Sequence, residues 1–150
     1  MDKEILNYIP HRNTMALLDR IVCKEIEGFN VEVKITKDSA LFSDDGVPSY
    51  CGVEYMAQSI AAYNTLFLEK INKLPRIGFM VSIRNFKTSV EKFKLGDCLN
   101  IMVDPVLIVA TSGSFNCKIL INNEEVSSSK ITAYVPTDEE LEVFKRETYE

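Results

Sequence analysis

Residues 52–72 read GVEYMAQSIAAYNTLFLEKIN. Apolar residues fall at Val53, Met56, Ala57, Ile60, Ala61, Phe67, Leu68 and Ile71. This is the i, i+3, i+4, i+7 spacing of one helix face, and it predicts a helix from Gly52 to about Asn72. No charge interrupts the residues between Glu54 and Glu69, so the side opposite the stripe is uncharged as well. A helix uncharged all round is expected to be enclosed on most of its circumference. Its uncharged run is too short to cross a membrane, which takes about 20 mostly apolar residues, and it carries Gln58, Ser59, Asn64 and Thr65. Other parts of the chain must wrap around it.

The flanking sequence supplies strands. Residues 29–36 alternate Phe29, Val31, Val33, Ile35 against Asn30, Glu32, Lys34, Thr36, the period of a strand with one wet face. Residues 17–27 mix apolar and charged positions, and Gly28 between the two stretches suits a tight reversal, which predicts a hairpin. After the helix, residues 77–86, 97–106, 107–122 and 125–135 read as strands, with turns at 95–97 and 122–123. Pro105 rules out an uninterrupted ladder at its position. Residues 2–8 suit a short helical turn limited by Pro10, residues 10–18 are irregular, and residues 37–51 have the Ser, Asp, Gly and Pro content of a loop. From Thr137 a short helix is expected, with acids in its first turn. Two strands, an enclosed helix and four more strands make an α+β domain, an antiparallel sheet curled around the helix, with residues 1–150 as one unit. A single layer leaves an open edge and apolar surface, so a homodimer is expected.

Composition narrows the function classes. The chain has 150 residues, 46% hydrophobic and 26% charged, with a formal charge of −5, which argues against a protein that coats nucleic acid. Much of that charge is local, because residues 136–150 hold six acids against two bases. The N-terminus lacks the basic and apolar pattern of a secretory leader, so a cytoplasmic address is expected. Cys23, Cys51, Cys98 and Cys117 are dispersed without a CxxC pair, and His11 is the only histidine. A structural zinc site is therefore not expected, and the cysteines are read as small core residues. No GxGxxG, Walker, GxSxG, HExxH or EF-hand pattern is present, so nucleotide, triad-hydrolase and metal chemistry lack support.

Four residues stand out chemically. Glu54 is a lone carboxyl just inside a helix that otherwise avoids charge. Enclosed, it could be kept protonated and act as a general acid; solvated, it would be an ordinary charge at a helix start. His11, in a loop placed by Pro10, is the natural proton acceptor if proton chemistry occurs, and otherwise a surface residue. Gly52 could leave a backbone N–H open at the positive helix end for an oxygen that gains negative charge, or could simply serve packing. Gln58, one turn from Glu54, could orient that acid by a hydrogen bond or be an isolated buried amide. Asp19 and Arg20 form one charged island; Arg84, Lys87, Lys92 and Lys94, against Glu91 alone, form a basic one. The basic island is either a docking patch for an acidic or phosphate-bearing partner or a solvated strand face.

Three motifs in order resemble a known family. PHRNTMALLDR at 10–20 resembles the PHR...LLDR opening of hotdog-fold 3-hydroxyacyl-acyl carrier protein dehydratases. GVEYMAQ at 52–58 resembles their helix start, and FKLGDCL at 93–99 their strand-turn. The closer resemblance is to the aryl-polyene-type dehydratase branch, through VPSYCGVEYMAQSIAA at 47–62 and GFMV at 78–81. The branch that serves fatty-acid synthesis carries its histidine in a GHFPxHP stretch just before the helix, where residues 43–50 of this chain hold none.

The resemblance implies a hotdog fold and assigns the missing role to His11. It implies that His11 removes a Cα proton from a 3-hydroxyacyl thioester and Glu54 protonates the departing hydroxyl. The Gly52 N–H would hold the thioester oxygen, with Gln58 beside the substrate. The product would be a trans-2-enoyl thioester, formed without metal or organic cofactor. An acyl carrier protein with its phosphopantetheine arm is the implied partner. Two other readings stay open: a hotdog thioesterase in which Glu54 activates water, and a non-catalytic acyl-binding or partner subunit.

Overall fold

The computed structural model describes residues 3–9, 16–25, 27–72, 79–109, 112–134 and 139. The expected helix after Thr137 falls almost entirely outside them. Eight strands are seen: β1 (Arg20–Cys23), β2 (Phe29–Lys34), β3 (Gly46–Pro48), β4 (Phe79–Thr88), β5 (Lys92–Lys94), β6 (Cys98–Val109), β7 (Ser112–Ile121) and β8 (Glu124–Tyr134). The helix α1 spans Gly52–Lys70. A six-stranded antiparallel sheet runs β1-β2-β6-β7-β8-β4, and β3 pairs β5 in a separate two-stranded piece. The sheet wraps α1, which is the hotdog arrangement that the sequence resemblance implies.

Alternation places the core. Phe29, Val31 and Val33 of β2, Leu99, Ile101 and Val103 of β6, and Phe115, Cys117 and Ile119 of β7 face inward and are buried. Strand β8 continues that inner face with Ser127, Ser129 and Ile131. Buried serines need partners, and both find them on the edge strand β4. Ser129 Oγ donates to the Arg84 carbonyl at 3.0 Å, and Ser127 Oγ donates to Thr88 Oγ1 at 3.0 Å. Between these anchors β4 bulges, with a register shift between Arg84 and Lys87 and Asn85 at φ 55°.

The helix is buried on more of its surface than one stripe. The buried set includes Tyr55, Ser59, Tyr63 and Leu66, whereas Ile71, expected on the apolar face, is exposed. Aromatic packing selects this rotation: the Tyr63 ring stands edge-on to Phe29 at 5.6 Å and to Phe115 at 5.4 Å. Ser59 tolerates burial because its hydroxyl donates to the Tyr55 carbonyl at 2.7 Å. The helix ends at Asn72, whose φ of 58° takes the chain out of helical geometry.

Several expected boundaries change. The ladder is interrupted at Pro105 as expected, by a register shift between Pro105 and Leu107, but the strand continues: β6 runs to Val109 and β7 begins at Ser112, so the expected boundary between residues 106 and 107 moves. Strand β2 pairs β6 only as far as Val103, so the proline lies beyond that ladder. The loop at 37–51 contains β3, which pairs β5 and presses the buried Phe93 towards the helix start. Gly28 has φ +81°, as a tight reversal before β2 requires. Of the four cysteines only Cys51 and Cys117 are buried; Cys23 is half-buried and Cys98 exposed, because both lie towards the β1 side of the sheet, where pairing is short.

Two measurements check this packing. A Cβ at Gly46 would lie 2.3 Å from the Phe93 carbonyl oxygen, a backbone atom that cannot swing aside. Gly46→Ala is expected to cost about 1–3 kcal/mol in urea unfolding. Burial pushes the Cys117 thiol up to about 12, so labelling at pH 8 should modify Cys98 and Cys23 in the native protein and Cys117 only on unfolding.

Candidate active site at the helix start

A short 3-10 turn, Ser49–Cys51, runs directly into α1 without a side-chain cap. Its continuity has a consequence for Gly52. The Gly52 N–H is turned onto the Ser49 and Tyr50 carbonyls, so it is not the open donor that the sequence suggests. Gly52 instead provides space: a Cβ there would sit 2.9 Å from Ile119 Cδ1 and 3.4 Å from Phe93 Cζ. The missing side chain lets β7 and the β3–β5 piece close on the helix start.

Glu54 occupies the first turn of α1 and is half-buried rather than enclosed. Gln58, one turn on, has no exposure to water. Its Nε2 donates to Glu54 Oε1 at 3.4 Å, and its Oε1 accepts the Leu17 N–H at 3.0 Å. One amide thus joins the acid to the strand-free segment before β1. That segment is tied down further along. Leu18 is buried, the Asp19 N–H donates to the Glu32 carbonyl, and Asp19 Oδ2 accepts the Lys34 N–H at 2.6 Å. The Arg20 guanidinium pairs with Glu32 at 2.9 Å and holds that carboxyl below its usual range. The Asp19 and Arg20 island is therefore a fastening of the N-terminal segment to β2.

The surroundings of Glu54 are protonated and neutral. Burial, and then the Cys51 and Asp19 charges, push the Tyr55 phenol well above its ordinary value. Burial, and then Glu54, push the Cys51 thiol up. Neither group serves as a base near neutral pH, and the Tyr55 ring is occupied in packing 6.0 Å from Phe93. Glu54 is the one carboxyl on the first four turns of α1. His11 and Arg12 lie outside the described residues. Of the four sequence candidates, the structure brings Gly52, Glu54 and Gln58 together. Three residues that sequence reasoning passed over complete the site: Leu17, Tyr55 and Phe93. Phe93 sat within a basic island, where only its alternation with Lys92 and Lys94 marked it as facing inward.

The basic island itself is divided. Lys92 lies 3.3 Å from Asp45 and 3.9 Å from Asp44, and with Lys94 it belongs to β5. Arg84 and Lys87 belong to β4 on the main sheet.

Comparisons with known proteins agree with this architecture. The pattern of the ApeP-like family, described as ApeP dehydratase, matches residues 3–145. No curated protein matches the sequence. Among solved structures, the dehydratase heterocomplex ApeI:P from Xenorhabdus doucetiae superposes with a TM-score of 0.84 at 22% identity, covering 93% of this chain and 95% of that one. A hypothetical thioesterase with coenzyme A from Streptococcus pneumoniae gives 0.59 at 16% identity, over 77% and 86% of the two chains. The PaaI protein of E. coli, from the phenylacetic acid degradation operon, gives 0.58 at 13%, over 77% and 81%. At these identities the structural likenesses establish the hotdog fold.

Replacing the Gln58 amide tests the junction. Gln58→Leu strands the Leu17 N–H and removes a donor from Glu54, and should cost about 1–3 kcal/mol. Amide exchange at Leu17 should rise more than exchange within β6, which checks that the loss is local.

Proposed function

The chain belongs to the ApeP-like dehydratase family, and from that premise we propose that it converts a 3-hydroxyacyl thioester, carried on an acyl carrier protein, into a trans-2-enoyl thioester. His11 takes the Cα proton, the electron pair of that C–H bond forms the double bond, and the C3–O bond breaks. Glu54 supplies a proton to the departing hydroxyl, which leaves as water. Gln58 holds the Glu54 carboxyl in position, and Gly52 lets Ile119 and Phe93 pack against the helix start that carries Glu54.

The observation that carries this reading is the buried Gln58 amide bonded both to Glu54 and to Leu17. Leu17 lies six residues along the chain from His11, a span of at most about 20 Å when extended. Leu17, six residues after His11 in the same motif, is thus bonded to the amide that also bonds Glu54, which supports an approach of His11 to the acid. The acid and the base act at opposite ends of one carbon–carbon bond, so they must approach from different elements.

A second reading is favoured by one observation: the ApeI:P structure is a complex of two different chains. Strand β4 here is a ten-residue edge, and its Ile83, paired with the buried Ile131, is 40% exposed. A second hotdog chain, identical or different, would continue the sheet there. In that case this chain supports a catalytic partner.

Turnover of a 3-hydroxyacyl thioester, followed by the near-ultraviolet absorbance of the enoyl product, separates the readings. His11→Ala and Glu54→Gln are each expected to lower kcat by about 100-fold or more with the fold intact by circular dichroism. Activity that needs a second hotdog chain and survives His11→Ala assigns this chain the supporting role instead. Free thiol released without enoyl product would mark a thioesterase.

A further inference from the structure

The outer face of the main sheet carries a concentration of charge that the sequence does not display. Strand pairing sets Asn116, Lys130 and Arg84 side by side across β7, β8 and β4. The neighbouring outward row is Lys118, Ser128 and Lys87. Arg84, Lys87, Lys118 and Lys130 are all exposed. With strands about 4.8 Å apart and alternate residues about 7 Å apart, four cations share a patch of roughly 10 by 7 Å. Two carboxylates stand at its rim: Glu125, 3.7 Å from Lys118, and Asp104, next to Asn116 in its row. Lys130 faces Arg84 directly, a like-charge pair that weakens the sheet unless an anion relieves it.

We propose that this face, Arg84, Lys87, Lys118 and Lys130, is the docking surface for an acidic carrier protein. The proposal rests on the dehydratase reading for the identity of that carrier. Charge complementarity favours such a partner: a cationic patch on a chain of net charge −5 attracts a compact acidic surface that matches it locally. Large polyanions meet the rest of the acidic molecule as well. No aromatic side chain lies in the six-residue grid for a base to stack on, and no apolar one for insertion into lipid.

The position also fits. The inward row next to Lys118, Ser128 and Lys87 is Ile119, Ser127 and Thr88, and Ile119 is the residue under Gly52. The patch therefore lies at the end of the sheet where α1 starts. A groove adjoins it, lined by Lys87, Thr88, Ser89, Ser127 and Ser128, with Glu125 and Val126 beside them. A polar arm with a phosphodiester meets the Lys87 ammonium and the Ser128 hydroxyl on that course, and the Glu125 carboxylate, paired with Lys118, at its rim. The sequence-based island 84–94 is redrawn accordingly: Lys92 is engaged by Asp44 and Asp45, and Lys118 and Lys130 join from strands distant in sequence.

The test measures association of the holo acyl carrier protein with the full chain, without chemistry. Arg84→Glu/Lys130→Glu is expected to slow association at least about tenfold at low salt and to flatten its salt dependence. Lys34→Glu/Lys37→Glu makes the same change in net charge on the β2 side of the sheet and should leave association within about twofold. For carrier-bound substrate kcat/KM should fall in step, while turnover of a pantetheine thioester without the protein stays unchanged. Unaltered association in the first variant overturns the proposal. So does equal slowing in the control, or wild-type binding to duplex DNA or anionic phospholipid vesicles that is tighter than to the carrier and lost in the same variant. If wild-type protein forms no enoyl product from any thioester, the dehydratase reading fails, while the association measurement still decides the docking surface.

Discussion

A neutral amide shut away from water organises this molecule. Gln58 is fully buried, and an amide in that position must find partners inside the protein or cost about 1–3 kcal/mol for each group left unmet. Among the described residues it bonds two different parts of the chain, Glu54 one turn back on the same helix and the Leu17 N–H on the segment before β1. Leu17 fixes Leu18 in the core and delivers Asp19 to the Lys34 amide on β2. From there the ladder continues through β6 to the rest of the sheet. The N-terminal segment, the acid and the sheet are thereby held in one register, with a neutral amide at the buried junction and the Asp19 carboxylate at the sheet.

The two faces of the sheet have opposite electrostatic character. On the inner face the ionisable side chains are phenols and thiols, and burial keeps Tyr55, Tyr63, Cys51 and Cys117 in their neutral forms. Serines fill the inner positions of β8 nearest the edge, where each hydroxyl is spent on β4. Among the described residues of the main sheet, the charged side chains lie on the outer face. The outer face tolerates four neighbouring cations because water screens them, whereas the interior of a wrapped helix has no such relief.

Much of the fold was legible in the sequence, and the failures have specific causes. The uncharged run after Glu54 marked an enclosed helix, and strict alternation in β2 marked its wet and dry faces. The rotation of the helix was misread, because two aromatic partners for Tyr63 lie on strands far away in sequence. Pro105 marked the break in the ladder, but the strand boundary drawn at 106–107 fell short, since nothing local shows that β6 continues past the shift to Val109. Strands β3 and β5 are three residues each, too short for a period to register. At the site, residue type pointed to Glu54, Gln58 and Gly52, but the role imagined for the Gly52 N–H depended on a broken helix start. The 3-10 turn that abolishes it is a matter of backbone geometry, not of composition. Leu17 gave no signal at all, because only its backbone takes part.

In the proposed dehydration the same constraint explains why Glu54 is the single proton-transfer group drawn from the helix. An elimination of water needs an acid and a base on opposite ends of one bond. A second ionisable group further along α1 would have to be desolvated in a layer where every neighbour is apolar, aromatic or already hydrogen-bonded, at a cost of several kcal/mol. Glu54 escapes that penalty only because the first turn is half-open. In the proposed reaction the base comes to this same opening from an element other than α1: the segment that Leu17 ties to Gln58, or a second chain at the β4 edge, where Ile83 is exposed. In the proposed reaction both routes lead to the helix start, because there Glu54 stays half-open and exchanges a proton without burying an unpaired charge.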